Sequence, residues 1–271
     1  MRLFQEMFGN IMKCLKWIFV LALIIVAAAF PKILVQSQPP PVIEVPYLEI
    51  PVTLDGAIVG DEWSDAVMLD LTFYFYDSET KELLGIRTGR IYFKHDCVNL
   101  WICFQIEDKV ENIDGSYIAI FYDVSGDMAI SSGDDEKGMI HPDRAFDNAI
   151  IPPPDYYDED VNLGGTNDTQ GASEWYNKWL TYEFVHPLNS GDALGNDVAL
   201  NPGDSIPALF MVGDEEFGLE NYSSTGYYNL IITPCPVGGE LLMVNVLKAV
   251  SYTHLRAHET RHDLVCRLLL E

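Results

Sequence analysis

From residue 67 onward the chain repeatedly alternates apolar and polar positions with a period of two, the pattern of strands that bury one face. Met68–Tyr76 alternates well enough for an edge or half-buried strand. Arg90–Asp96 gives a second strand and a turn, Leu100–Ile106 a third, and Tyr117–Tyr122 a nearly continuous apolar fourth. Between the second and third, His95-Asp96-Cys97-Val98-Asn99 has turn chemistry, which predicts a hairpin. Strand signal returns at Lys178–Val185, where Trp179, Thr181, Glu183 and Val185 share one face, then at Ile206–Val212 and Tyr227–Thr233. Asn201-Pro202-Gly203-Asp204 is a turn before Ile206. These elements predict an all-β fold, an antiparallel β-sandwich with long loops. Residues 134–178 give almost no helix or strand signal and read as one long loop, which in a compact domain is functional or disordered.

The two ends differ from this middle. Lys13 and Lys16 precede an apolar run, Trp17–Phe30, shorter than the ~20 residues of a spanning helix. Small residues at Ala27–Ala29 and Val35–Ser37 offer cleavage sites. Residues 1–37 therefore read as a signal peptide or an N-terminal anchor, a hydrophobic helix in either case. A Pro-rich linker over 38–46 follows, then the sandwich over 47–233, then a linker over 234–250 towards a lost C-terminal segment. Residues 251–271 closely resemble the translated sequencing-adaptor tail found on open reading frames from metagenomic assemblies, so that block is set aside as non-native. Its His254, His258 and His262 are excluded with it. Val237–Val246 resembles the approach to the C-terminal membrane anchor of some archaeal surface proteins.

Charge sharpens the picture. The whole chain carries −25, and the two ends contribute no negative balance, so the acidity belongs to the middle. Such a surface repels nucleic acid and does not favour anionic lipid. Membrane contact is expected only through a terminal hydrophobic segment. Of the five cysteines, Cys97 and Cys103 stand about 20 Å apart along extended chain, too far to bridge. Cys235 meets either only through the tertiary fold, so buried free thiols are expected for each.

Asp55-Gly56 and Glu62-Trp63-Ser64-Asp65-Ala66, followed by Tyr92–Asp96 and Asn99–Phe104, resemble family-9 carbohydrate-binding modules, part of the wider DOMON-like group of jelly-roll or immunoglobulin-like sandwiches. Tyr182–Leu188 with Ser190-Gly191-Asp192 also resembles the haem-binding domain of the ethylbenzene dehydrogenase gamma type. The first resemblance implies an exported, non-catalytic module whose partner is a polysaccharide or other glycan. The second implies haem b held by methionine and lysine, for which Met139, Met211 and Lys178 are the candidates. A structural adhesion domain at the cell surface is the third reading.

Two sets of residues carry the candidate chemistry. Asp123, Ser125, Asp127, Ala129 and Asp134 follow the spacing of a calcium-binding EF-hand loop, with carboxylates at positions 1, 5 and 12. Met128 departs from it, standing where the turn demands glycine. For sugar, flat aromatic surfaces beside hydrogen-bonding groups are required, and Trp175, Tyr176, Trp179 and Tyr156, with Glu183, are the expected contacts. No paired acid and base and no nucleophile motif points to catalysis.

Overall fold

The computed structural model describes residues 39–107, 114–152, 156–192 and 197–236. The leader or anchor over 1–37, most of the 234–250 linker and the 251–271 tail lie outside the described residues. No helix among the described residues is long and apolar enough to cross a membrane.

Two sheets form the sandwich. The first carries β2 (Val67–Tyr76), β3 (Leu83–His95), β4 (Asn99–Glu107), β9 (Gln170–Tyr176) and β10 (Trp179–Pro187), in the order β2-β3-β4-β10-β9. The second carries β1 (Val42–Val45), β5 (Tyr117–Tyr122), β6 (Asp135–Ile140), β7 (Arg144–Ile151), β8 (Tyr156–Glu159), β11 (Ser205–Gly213), β12 (Ser223–Ser224) and β13 (Tyr228–Ile232). Its order is β1-β13-β11-β5-β6-β7-β8, with β12 against β11. Pairing is antiparallel except between β1 and β13, which run parallel. Asp160–Leu163 forms one short helical turn, α1.

The alternation does what it predicts. Phe73, Phe75, Ile91, Phe93, Ile102 and Phe104 from one sheet meet Ile118, Ile120, Tyr122 and Phe210 from the other, all essentially inaccessible to water. Phe210 joins the layers, 5.5 Å from Phe93 and 5.3 Å from Tyr228 between ring centroids. A buried side chain of this size contributes roughly 1.5–3 kcal/mol, so this layer dominates the favourable side of folding. The β3–β4 turn forms as expected. Asp96 Oδ1 accepts the N–H groups of Val98 and Asn99 at 2.9 and 2.6 Å, and Oδ2 accepts Trp101 Nε1 at 3.0 Å.

Three expectations change. Residues 42–45 are not linker but strand β1, because Val45 and Ile43 complete the core beside β13. Residues 134–178 are not one loop, since β6, β7, β8, α1 and β9 lie there. Their signal was hidden because β6 begins Asp135-Glu136-Lys137, three charged residues that are all buried. Cys97 and Cys235 are not free thiols. They form a disulfide with Cα atoms 6.0 Å apart, across 138 residues of sequence, tying the β3–β4 turn to the chain after β13. Cys103 alone meets the expectation, a buried free thiol.

Candidate functional site

The outer face of the five-stranded sheet is divided in two. One half is covered by residues 48–66. Leu48, Val52 and Trp63 pack there on Trp101, Cys103 and Val185. Two buried charged side chains hold this cover down. Lys94 Nζ donates to Ile50 O at 2.8 Å, to Asp65 Oδ1 at 2.7 Å and to Glu62 O. Glu183 accepts Trp63 Nε1 at 2.7 Å and the N–H groups of Gly56 and Asp55 at 3.0 and 3.2 Å. Gly56 has φ +82° and lies so close to Ser173 and Glu174 that a Cβ would stand 2.6 Å from their backbone. Burial raises the Glu183 carboxyl to about 7 despite these donors.

The other half of the face is open. Strand register lines up Asp70, Arg90, Gln105, Thr181 and Glu174 in one row. In the next row Thr72 pairs with Thr88, and Trp179 lies between Glu107 and Tyr176. Trp179 forms one side of a cleft of about 230 Å³ whose other lining residues are Asp70, Leu71, Thr72, Thr88, Gly89 and Arg90. The Arg90 guanidinium lies over the indole, 5.3 Å from its centroid, and pairs with Asp70 at 3.3 Å. Thr88 donates to Glu107 at 2.8 Å. The cleft thus combines an aromatic face with a guanidinium, a carboxylate and two hydroxyls, few and convergent, as small-molecule sites require.

Of the five expected sugar contacts, Trp179 and Tyr176 reach this face, Tyr176 being 75 % exposed. Trp175 does not, because alternation turns its neighbour outward and Trp175 inward, half-buried against the main core. Glu183 is 0 % exposed and fully engaged with the cover, so it offers nothing to a ligand from solvent. Tyr156 pairs with Ile151 in the other sheet, and its side chain is outside the described residues. Asp70, Thr88, Arg90 and Glu107 also lie on this open face and were not among the contacts expected from the sequence. Their signal was in the same period-two pattern, which places them on the outward side of β2, β3 and β4.

The expected metal loop closes on itself. Ligand oxygens of Asp123, Asp127 and Asp134 all lie within 4.8 Å of one another. Asp123 and Asp134 are buried, and the backbone wraps them. Asp123 accepts the N–H groups of Gly126, Asp127 and Met128 at 2.6, 3.1 and 2.9 Å, and Ser125 Oγ at 3.2 Å. Asp134 accepts Ser125 N and Ser131 N at 3.0 and 2.8 Å. Ala129 donates its N–H to Asp127 at 2.8 Å. Met128 takes φ +60°, the left-handed conformation that glycine serves at this position in such loops. The residues therefore fit an oxygen-seeking cation, with some backbone strain at Met128. Beside the loop, burial and the three aspartates raise the Tyr227 phenol.

The three haem candidates do not converge. Met139 is buried in the core between the sheets, and its sulfur lies close enough to Gly171 to exclude a Cβ there. Met211 faces the opposite side of its sheet and accepts from the Tyr117 hydroxyl at 3.7 Å. Lys178 stands exposed at the tip of the β9–β10 hairpin with φ +72°. The fold thus separates an axial pair, which must face one pocket.

A second charged cluster lies where α1 and the chain at Asp197 meet β6 and β7. Lys137 is surrounded by Asp135, Asp147 and Asp197, with Asp160 beside them. Burial, reinforced by the other aspartates, raises Asp160 to about 8, and burial raises Asp135 to about 7.

No family model matches the chain, and no curated protein matches it. Among solved structures it is similar to a family-9 carbohydrate-binding module from Caldicellulosiruptor kristjanssonii in complex with glucose. The two share 15 % identity at a TM-score of 0.48, over 73 % of this chain and 99 % of that one. The cellotriose complex gives 15 % and 0.48, over 74 % and 98 %. A putative carbohydrate-binding protein from Bacteroides uniformis gives 9 % and 0.46, over 73 % and 94 %. What this chain binds has to be read from its own residues.

Proposed function

We propose that the domain is an exported, non-catalytic carbohydrate-binding module whose ligand lies on the open half of the five-stranded sheet. The observation that carries this is Trp179 set in a cleft beside Arg90, Asp70, Thr72 and Thr88, on the half of the sheet face that the 48–66 segment leaves open. A pyranose presents an apolar C–H face and a rim of hydroxyls. The indole answers the first, and the guanidinium, carboxylate and threonine hydroxyls answer the second. Tyr176 extends the aromatic surface outward. A cleft of this size suits one sugar unit at a time and is too small for a drug-sized ligand.

The Asp123–Asp134 loop holds Ca²⁺ and stiffens the connection between β5 and β6. Export is supported by the Cys97–Cys235 disulfide, a bond that persists in oxidising compartments. The acidic balance of the chain agrees with a partner that is a neutral glycan and not a nucleic acid.

The test is a glycan array followed by titration calorimetry on the best binder. Trp179→Ala is expected to lower affinity at least tenfold while leaving the far-UV spectrum and the melting temperature within a few degrees. Equal affinity in the variant, or no binding by the wild-type protein to any glycan, overturns the reading.

A further inference from the structure

Four aspartates gather around one lysine where α1 and the chain at Asp197 meet β6 and β7, and their charges do not balance. Asp135, Asp147 and Asp160 are 0 % exposed and Lys137 is 2 % exposed. The lysine Nζ reaches Asp147 at 2.5 Å, Asp197 at 2.8 Å and Asp135 at 3.5 Å. One ammonium therefore faces four carboxylates, and ions withdrawn from water in this way need partners.

The oxygens can be followed one by one. Asp135 Oδ2 also accepts Val198 N at 2.8 Å, Asp197 Oδ2 accepts Ser190 Oγ at 2.7 Å, and Asp147 Oδ2 accepts Asp168 N at 3.1 Å. Asp135 Oδ1, both oxygens of Asp160, Asp168 Oδ2 and Thr169 Oγ1 are buried with no hydrogen-bond partner. Unpaired buried acceptors of this kind are rare, because each forfeits its hydration with no return. Asp135 and Asp160 belong to the cluster around Lys137, and Asp168 and Thr169 lie in the stretch that follows α1. Asp168 is joined to Asp147, and the Asp160 carboxyl faces that of Asp197.

A proton shared between Asp160 and Asp197 would relieve that pair but leave Asp135 Oδ1 and Asp168 Oδ2 bare. A cation beside the converging oxygens of Asp135, Asp147 and Asp197 gives Asp135 Oδ1 a partner as well. The atoms on offer are all oxygens, most of them carboxylate, which is the donor chemistry of calcium and not of zinc or copper. Asp197 also borders a surface cavity of about 610 Å³, lined in addition by Asp123 and Asp204, which gives an ion a route from solvent.

We propose that this cage is a second divalent-cation site, separate from the Asp123–Asp134 loop, in which Asp135, Asp147 and Asp197, whose ligand oxygens lie within 4.8 Å of one another, and the neighbouring Asp160 supply oxygens to a calcium-sized ion. Lys137 neutralises part of the remaining charge and holds Asp147 and Asp197 in position. The ion would fasten α1 and the following turn, residues 160–169, onto β6 and β7. The proposal does not depend on what the open sheet face binds.

The test uses the full chain stripped with EDTA and titrated with CaCl₂ alone, reading stoichiometry by calorimetry and the melting temperature by differential scanning fluorimetry. Asp127→Asn disables the loop, and in that variant calcium is expected still to bind with one equivalent and to raise the melting temperature by several degrees. Adding Asp160→Asn, which keeps the side chain's shape and removes its charge, is expected to abolish both effects. If the double variant keeps the calcium response of Asp127→Asn alone, the proposal fails. It fails too if Asp127→Asn shows no calcium response, which is the shared-proton outcome. Should Asp160→Asn not fold, Asp197→Asn in the Asp127→Asn background answers the same question with the same readouts.

Discussion

Replacing Glu183 with alanine removes the carboxylate that anchors the 48–66 cover at three points: Trp63 Nε1, Gly56 N and Asp55 N. Above pH about 7, where the Glu183 carboxyl is ionised, hydrogen bonds to this charged acceptor are worth about 1.5–3 kcal/mol each, and a stranded buried donor carries its own desolvation cost. Gly56 N is buried and Trp63 is 3 % exposed, so neither donor can turn to water, whereas Asp55 N is only part-buried and can rehydrate. Two unrecoverable bonds plus a side-chain void give an expected loss of about 4 kcal/mol, a large share of the 5–15 kcal/mol that holds a typical domain folded. Guanidinium unfolding followed by circular dichroism measures it. A double-mutant cycle with Trp63→Phe separates the indole bond from the two backbone bonds, and a coupling near 1.5–3 kcal/mol is expected. A loss below 1 kcal/mol for Glu183→Ala, or strict additivity with Trp63→Phe, would refute the anchoring role.

Three further outcomes are expected. Cys97→Ser, or reduction of the wild-type protein, should lower stability by about 4–5 kcal/mol in denaturant titrations, since the bridge closes a loop of more than 100 residues. Burial lifts Glu183 to about 7, above its value in the unfolded chain, so the folded state holds that proton longer. Its contribution is greatest below the ordinary carboxylate range and is lost as pH rises to about 7. Melting temperatures of wild type and Glu183→Gln should show that slope in the first and a flatter profile in the second. Met128→Gly removes a side chain from a left-handed position and should raise stability by about 0.5–1 kcal/mol, together with the calcium affinity of the loop measured by calorimetry.

The strands that obey simple alternation were legible because each has one apolar face. β2, β4, β10, β11 and β13 lie close to where their patterns put them, and β3 starts at Leu83, seven residues before the expected Arg90. β6 was not legible, for a physical reason. Asp135, Glu136 and Lys137 look like solvated loop, yet they are buried because Lys137 and its surrounding carboxylates satisfy one another in space. A local hydropathy reading cannot see partners such as Asp197, which stands 60 residues away. The disulfide was hidden in the same way, since Cys97 and Cys235 meet only once both sheets exist. Of the expected aromatic contacts, Trp179 lies on the open sheet face and Trp175 turns inward, because one residue along a strand exchanges outward for inward. The Asp123–Asp134 loop was read as a calcium site from local spacing alone, and the departure noted at Met128 appears in the fold as a positive φ.

The Cys97–Cys235 bridge also decides how the domain bears mechanical load. β13 is short and lies next to the edge strand β1, so tension on a chain leaving β13 directly would peel the strand pair from the sheet one bond at a time. With the bridge in place, tension applied beyond Cys235 passes first to the β3–β4 turn of the opposite sheet. The hydrogen bonds of β13 are then shielded, and the pull falls on the central β3–β4 hairpin. An oxidised domain held at that point resists extension as a unit, while the reduced domain unravels from its last strand.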